Sequence, residues 1–181
     1  MWTQFQSALA GAERIFELID TEPDIVDAPD AEVLPPAEGR IAFEGVHFGY
    51  KADEPVLQDI NFVAEPGQTV ALVGPTGAGK TSIVSLLMRF YDIQQGSISV
   101  DGHDIRQVTH DSLREQTSIA LQATFLFSGT VMDNIRYGRL DATDDEVKEA
   151  AMLANADDFI ARLPDGYDTD VGERGGRLSG G

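Results

Sequence analysis

The sequence has 181 residues with 42% hydrophobic content, no cysteine, and 13 basic against 31 acidic side chains, giving a net charge of −18. This length suits one domain of ordinary size, and the apolar runs are too short for a membrane span or a signal-peptide core, so we expect a soluble chain of cytosolic character. Its acidic surface, without a basic stripe, argues against a nucleic-acid motor and predicts no nucleic-acid partner.

The first predicted element is a helix over residues 2–19. Apolar side chains recur there at steps of three and four residues, which places them on one face. They are Trp2, Phe5, Leu9, Ala12, Phe16 and Ile19. The stripe either docks on its own domain or belongs to a longer helix that enters from a membrane domain. The missing capping residue at its start favours the second interpretation.

Residues 21–39 are rich in Pro, Asp, Glu and Ala, which predicts an acidic, semi-extended linker. The domain proper is predicted to begin at Arg40, where alternation of apolar and polar residues indicates a half-buried strand that ends at Tyr50. A second strand is predicted over residues 56–64. Tyr50 is either an ordinary surface residue or, next to a nucleotide site, a ring that stacks on adenine.

Residues 74–81 read GPTGAGKT and match the pattern G-x-x-x-x-G-K-[ST] at every fixed position. Glycines at positions 74, 77 and 79 permit backbone conformations in which successive N–H groups surround phosphate oxygens. Lys80 adds a positive charge for the outer phosphates, and Thr81 offers a hydroxyl suited to Mg²⁺. The helix that begins here directs its positive end at the same anion.

A phosphate-binding loop requires a buried strand before it and a helix after it. The apolar run at residues 68–73 predicts the strand, and residues 82–90 have apolar side chains at helical spacing. The alternative is a glycine-rich turn that precedes a helix by chance. Both flanking elements favour the phosphate-binding interpretation.

Three further elements are predicted before residue 125: a short strand at 97–100, a helix at 109–116 and a buried strand at 117–121. Gln122 lies just past the end of the last strand. Ligand-contacting residues tend to lie at this end of a strand in open α/β sheets. A lone glutamine in this position is otherwise a solvated loop residue.

The last part of the sequence is predicted to be helical. A helical turn is expected over residues 131–135, and Thr143 with Glu146 has the spacing of a capping box for a helix that runs to Leu163. The sequence then closes on Ser179, Gly180 and Gly181. From spacing alone this ending is a flexible tail or a phosphate-contacting nest.

Together these motifs resemble the nucleotide-binding domain of ATP-binding cassette (ABC) transporters, in particular exporters whose membrane helices precede the ATPase domain. The matching motifs are FGY at 48–50, GPTGAGKT at 74–81, LQATFLFSGTVMDNI at 121–135, VGERGG at 171–176 and LSGG at 178–181. The resemblance implies an α/β fold of the P-loop NTPase class, with a RecA-like core, an antiparallel β subdomain and an α-helical subdomain near residues 129–178. Residues 40–181 would form this domain, and residues 1–20 would continue from a membrane domain.

The resemblance also implies ATP and Mg²⁺ as cofactors and assigns roles to residues. Tyr50 would stack on adenine, Lys80 would hold the β- and γ-phosphates, and Thr81 and Gln122 would reach the metal, with Lys80 and Gln122 serving catalysis. Ser179 and Gly181 would contact the γ-phosphate of ATP bound to a second subunit. The implied nucleotide-binding residues are Tyr50, Gly74, Pro75, Thr76, Gly77, Ala78, Gly79, Lys80, Thr81, Ser82, Ser179 and Gly181.

Two partners follow from the same resemblance. One is a second nucleotide-binding domain, identical or different, and the other is a transmembrane domain whose coupling helices would contact residues 171–174 at the cytoplasmic face of the membrane. The family's Mg²⁺-binding Asp, catalytic Glu and switch His follow the signature motif and have no match in this sequence, since His47, His103 and His110 all precede it. We therefore expect a fragment that is inactive in hydrolysis by itself, and marginally stable because apolar surface beside the phosphate-loop strand is bare.

Three other functions remain open at this point. The chain could belong to a soluble ABC ATPase that acts as a switch in translation or DNA repair, or it could be a truncated module that binds ATP without turnover. A P-loop kinase would need a phosphoacceptor site, which the sequence does not suggest.

Overall fold

A computed structural model of the chain describes residues 2–51, 53–121, 125–172 and 175. It divides into two compact units, Met1–Ser118 and Ile119–Gly181. The first unit contains an antiparallel sheet with three helices, and the second is helical. Each unit has its own hydrophobic core and is described separately below.

The first helix, α1, spans Trp2–Ile19, as predicted. Leu9, Phe16 and Ile19 on its apolar stripe are exposed, at 54%, 61% and 68%. The structure therefore does not show this part of the stripe docked on its own unit. Among the described residues, no helix is both long enough and apolar enough to cross a membrane.

Four strands form the sheet of the first unit: β1 Ile41–Phe48, β2 Leu57–Ala64, β3 Gln95–Val100 and β4 His103–Asp104. All neighbours are antiparallel and the spatial order is β2-β1-β3-β4. The burial of β1 departs from the strict alternation from which the strand was predicted, because Ala42 and Phe43 are buried in succession and only Glu44 is exposed. The strand ends at Phe48, two residues before the predicted end at Tyr50.

The core of the first unit joins the sheet with helices α2 (Lys80–Leu87) and α3 (His110–Glu115). Leu86 of α2 and Leu113 of α3 are fully buried, and burial of a leucine side chain contributes about 1.5–3 kcal/mol. Leu34 from the acidic segment is also part of this core, at 3% exposure, and its N–H donates to Ser112 Oγ at 2.9 Å. The segment between α1 and β1 is thus partly docked on the unit.

The predictions of buried strands at residues 68–73 and 117–121 are wrong for this structure. Neither segment is in a strand, and both expose apolar side chains, with Val73 at 93% and Leu121 at 59%. The physical reason is that a strand requires a hydrogen-bonding partner. The described strands form only the sheet β2-β1-β3-β4, which neither segment joins.

The second unit contains α4 Val131–Arg136, α5 Asp144–Leu153, α6 Asp157–Ile160 and a 3₁₀ turn at Gly166–Asp168. Its core is formed by Val131, Ala151, Ile160 and Val171. The predicted capping box of Thr143 and Glu146 is confirmed at the start of α5.

The prediction of one continuous helix to Leu163 is wrong. The helix ends at Leu153, and Asn155, just after it, has a φ of 55° in the left-handed region. Asparagine tolerates this conformation better than most residues and commonly ends helices there. A separate short helix, α6, then follows.

Candidate nucleotide-binding site

The predicted phosphate loop lies between the exposed segment at 68–73 and helix α2. Gly77 and Gly79 both adopt φ of 84°, a left-handed conformation that residues with a side chain rarely take. Gly74 does not need this freedom. A Cβ at position 74 would lie 3.2 Å from the Cβ of Ala78, so its glycine is favoured by the close approach of the loop to itself.

Gly79 also packs the loop onto the sheet. A Cβ built at this position would lie 2.6 Å from Cδ2 of Leu57, the buried first residue of β2. Any side chain there would have to displace a core leucine. The glycine therefore fixes both the backbone turn and the distance between the loop and β2.

The start of α2 is suited to binding an anion. Gly79 caps this helix with its backbone alone, so no side chain bonds the N–H groups of the first turn. These groups and the helix dipole make the N-terminus positive. Lys80, the first helical residue, adds an ammonium group whose Nζ donates to the carbonyl oxygens of Gly74 and Pro75 at 2.8 and 2.7 Å. The lysine side chain thus folds back over its own loop.

Thr81 is the second residue of α2 and is exposed. Its hydroxyl lies on the same helical turn as Lys80, where a metal bound to phosphate oxygens would need a ligand. Among the described residues, no three acidic or histidine side chains form a group that could hold a metal ion. A threonine hydroxyl is a suitable single protein ligand for a magnesium ion that is otherwise held by phosphate oxygens and water.

Tyr50 lies next to this helix. Its hydroxyl is 3.0 Å from Oγ of Ser82 in the first turn of α2. Its ring makes edge-to-face contacts with Phe48 and Tyr91, with centroids 4.9 and 5.0 Å apart. The Tyr50 side chain is nevertheless half-exposed, at 53% for the residue. The structure thus brings an anchored but accessible aromatic ring to the start of the phosphate-loop helix.

Sequence reasoning found Tyr50, Ser82 and the loop, but it missed Phe48 and Tyr91. Phe48 is the last residue of β1 and Tyr91 lies in the connection between α2 and β3, and only the fold shows that both rings contact Tyr50. Three predicted site residues, Gln122, Ser179 and Gly181, lie outside the described residues.

Comparisons with known proteins agree with this geometry. The family model for "ABC transporter" matches residues 57–181. A fatty acid ABC transporter ATP-binding/permease protein of Mycobacterium bovis is 50% identical over 179 residues, which are 99% of this chain and 28% of that protein. ATP-binding cassette sub-family B member 6 of Homo sapiens is 49% identical over 180 residues, covering 99% of this chain and 21% of that protein.

Among solved structures, a bacterial Atm1-family ABC exporter with ATP bound superposes with a TM-score of 0.86 and 46% sequence identity. The match covers 97% of this chain and 31% of the exporter chain. The chain therefore spans between a fifth and a third of the length of these relatives. The α/β P-loop NTPase fold implied by the motifs is confirmed at this level.

Proposed function

The chain belongs to the ABC transporter family, and on that premise we propose that it is the ATP-binding part of an exporter that moves a substrate across a membrane. This proposal rests on the proximity of two features: the exposed ring of Tyr50, on which a base would stack, and the start of α2 with its glycine-rich loop, which would bind the phosphates. Tyr50 is tied to the first turn of α2 through Ser82, at 3.0 Å. The same turn begins at the glycine-rich loop that would hold the triphosphate.

In this proposal the base and the triphosphate of ATP are bound by different residues. Adenine stacks on the exposed ring of Tyr50, because aromatic faces bind nucleobases through their π systems. The triphosphate lies against the loop of residues 74–79 and the N-terminus of α2, with Lys80 moving from the loop carbonyls to the outer phosphates. Thr81 would supply a hydroxyl ligand to a magnesium ion bound with ATP, and that ion would neutralise part of the phosphate charge.

Hydrolysis would need groups in addition to those described. Gln122 is proposed to contact the metal and the attacking water, as its place in the family motif implies. No residue of this sequence matches the family's catalytic glutamate, so we propose that residues 1–181 alone bind MgATP without turning it over. Electrostatic stabilisation by Lys80 and magnesium would still be in place.

Two partners complete the proposal. Ser179 and Gly181 of the signature motif would contact ATP held by a second nucleotide-binding domain, so that ATP joins two domains. Residues 171–174 would contact the coupling helices of a membrane domain on its cytoplasmic side. An exposed aromatic cluster in the second unit, formed by Phe125, Phe127 and Tyr137, supports a docking surface of this kind.

The experiment that tests the proposal is calorimetric titration of MgATP into the chain and into Lys80→Ala. We expect the substitution to remove most of the affinity for MgATP, because a neutral side chain cannot balance the negative charge of the outer phosphates. Lys148→Ala is the matched control, since Lys148 is an exposed lysine on α5 that belongs neither to the phosphate loop nor to the turn that carries Tyr50. Equal affinity of Lys80→Ala and the unmodified chain would refute the proposed function.

A further inference from the structure

Gly49, the residue before the proposed adenine-stacking Tyr50, is a buried glycine just past the end of the inner strand β1. Strand β1 ends at Phe48, and its last pair with β3 is His47 with Gln95. Gly49 follows this last pair and is itself buried. Its N–H and C=O therefore need hydrogen-bonding partners that no further strand pair supplies.

The side chain of Gln94 supplies both partners. Gly49 N–H donates to Oε1 of Gln94 at 2.9 Å, and Nε2 of Gln94 donates to the Gly49 carbonyl oxygen at 2.9 Å. The backbone N–H of Gln94 also donates to the carbonyl oxygen of His47 at 3.0 Å. A side-chain amide thus takes the place of a peptide group and extends the contact between β1 and the start of β3 to Gly49, two residues past the last strand pair.

The backbone held by this amide has little freedom to move elsewhere. A Cβ at Gly49 would lie 2.4 Å from the carbonyl oxygen of Glu54, which shows how tightly the turn closes. That turn is fastened by Glu54 N–H to the Lys51 carbonyl at 3.1 Å and by Val56 N–H to the Phe48 carbonyl at 2.7 Å. Tyr50 is the first residue of this turn after Gly49, so the position of its Cα depends on the Gln94 contact.

We propose that Gln94 is a positioning residue for adenine, acting through Gly49 to set the ring of Tyr50. This inference rests on the proposed function, because it assumes that Tyr50 stacks on the base. Gln94 does not itself touch the nucleotide. By holding both polar groups of Gly49, it keeps the Tyr50 ring between Tyr91 and the open side where the base would lie.

Gln94 would affect the binding of the base but not that of the triphosphate. Gln94 acts on the base platform, whereas the triphosphate is held by the loop at 74–79 and by α2, which the Gln94 contact does not include. Loss of the amide should therefore weaken binding of ATP but not of inorganic tripolyphosphate. A residue that merely stabilised the whole unit would weaken both.

The test uses the full polypeptide that contains these residues, titrated with MgATP and with magnesium tripolyphosphate. Gln94→Ala is compared with Gln95→Ala, because Gln95 is an exposed neighbour whose backbone already pairs with His47. We expect Gln94→Ala to weaken MgATP binding about three- to tenfold, a part of the full value of a stacked base. Tripolyphosphate binding should change less than about twofold, and Gln95→Ala should change neither.

A double substitution adds a second readout. If Gln94 acts through Tyr50, Gln94→Ala should cost no further affinity in a Tyr50→Ala background. Gln94→Glu keeps an acceptor for Gly49 N–H but places a carboxylate against the Gly49 carbonyl, so it should shift affinity in the same direction as Gln94→Ala. It provides the same test with a side chain of nearly unchanged size.

The outcomes are distinct. Absence of MgATP binding in the unmodified polypeptide would refute the proposed function itself. Normal MgATP binding, with Gln94→Ala equal to Gln95→Ala, would overturn only the role of Gln94. Equal losses for MgATP and tripolyphosphate, or additive losses in the double variant, would likewise overturn it.

Discussion

The hydroxyl of Tyr50 and Oγ of Ser82 lie 3.0 Å apart, which connects the base platform to the first turn of the phosphate-loop helix. Ser82 is buried, at 5% exposure, whereas Tyr50 is half-exposed. The contact therefore anchors the hydroxyl end of the ring and leaves much of the ring open to solvent. Ring and hydroxyl have different roles that substitutions can separate.

The ring of Tyr50 should carry most of the binding energy for the base. We expect Tyr50→Ala to weaken MgATP binding by about tenfold or more, because base–aromatic stacking is worth roughly 1–3 kcal/mol. Tyr50→Phe keeps the ring and loses one hydrogen bond, so its loss should stay within about fivefold. Calorimetric dissociation constants for both variants check this order. Equal losses would mean that the hydroxyl, not the ring, is the binding group.

The two left-handed glycines of the loop should differ in their tolerance of alanine. Gly77 and Gly79 share φ of 84°, but only Gly79 approaches a core side chain, with Leu57 Cδ2 2.6 Å from an added Cβ. Gly77→Ala should therefore lower the free energy of unfolding by about 1–2 kcal/mol through backbone strain alone. Gly79→Ala should add the cost of overpacking, a further roughly 1–3 kcal/mol.

Urea unfolding of the two nucleotide-free variants measures this difference directly, since both substitutions add one methyl group. Gly77→Ala is thus the matched control for the steric contribution at Gly79. The same unfolding free energy for both variants would show that the loop is not packed against β2 in solution.

Local patterns predicted much of the fold. Alternation predicted β1, helical spacing predicted α1 and α2, and the glycines of the loop were recognised from a motif whose chemistry is local. Residues 68–73 and 117–121 were predicted as buried strands because their side chains are apolar. Apolarity indicates a tendency to be buried, but whether a partner strand lies alongside depends on pairing that a local pattern does not contain.

The contacts that support the site were harder to predict, because they also join residues that a local sequence pattern does not connect. Gln94 holds Gly49 through two side-chain hydrogen bonds between residues far apart in the sequence. A glutamine in a turn is otherwise typical of a solvated surface. By contrast, Asn155 carried a usable signal, since asparagine commonly ends helices in a left-handed conformation, and attention to it would have shortened the predicted helix.

The carboxylate of Asp101 should make stability dependent on acid pH. It accepts hydrogen bonds from the backbone N–H groups of Arg40, Glu38 and Gly39 at 2.7, 2.8 and 3.2 Å. The bond from Arg40 is the main cause that holds the pKa of Asp101 below its ordinary value of 3.8, against a smaller opposing effect of burial. The folded state thus favours the charged carboxylate.

Since the folded pKa is the lower one, this stabilisation is fully present above the ordinary value and is lost as the pH falls through the folded pKa. Asp101→Asn should therefore lower the free energy of unfolding by about 1 kcal/mol at pH 7. At a pH below the folded pKa the difference should vanish, as the wild-type group is then neutral too. Urea unfolding at both pH values checks this, with the exposed Asp53→Asn as control. A difference that persisted in acid would contradict the charge-based account.

The buried guanidinium of Arg89 should be the strongest link between the acidic segment and α2. Its side chain is 4% exposed, and it donates to the carbonyl oxygens of Val26 and Val108, both at 3.3 Å, and to Asp92 at 3.2 Å. Arg89 itself has φ of 49°, a strained conformation for a residue with a side chain. Three directed contacts therefore hold one buried cation at the end of α2.

Arg89→Ala should lower the free energy of unfolding by about 1–3 kcal/mol, because it leaves the buried carbonyl oxygen of Val108 without this donor. Arg89→Lys should recover little of this, since a single ammonium group cannot match three acceptors that a planar guanidinium reaches together. Arg114→Ala is the control: Arg114 is exposed and lies 5.5 Å from the ring centroid of Phe90, a contact worth about 0.5–1 kcal/mol at such a site. Urea unfolding measures all three variants.

Limited proteolysis adds an independent readout, because Arg89→Ala should also release residues 21–27 for faster cleavage. Cleavage at the wild-type rate, together with a small loss of stability, would mean that Leu34 and the sheet hold the segment without help from the arginine.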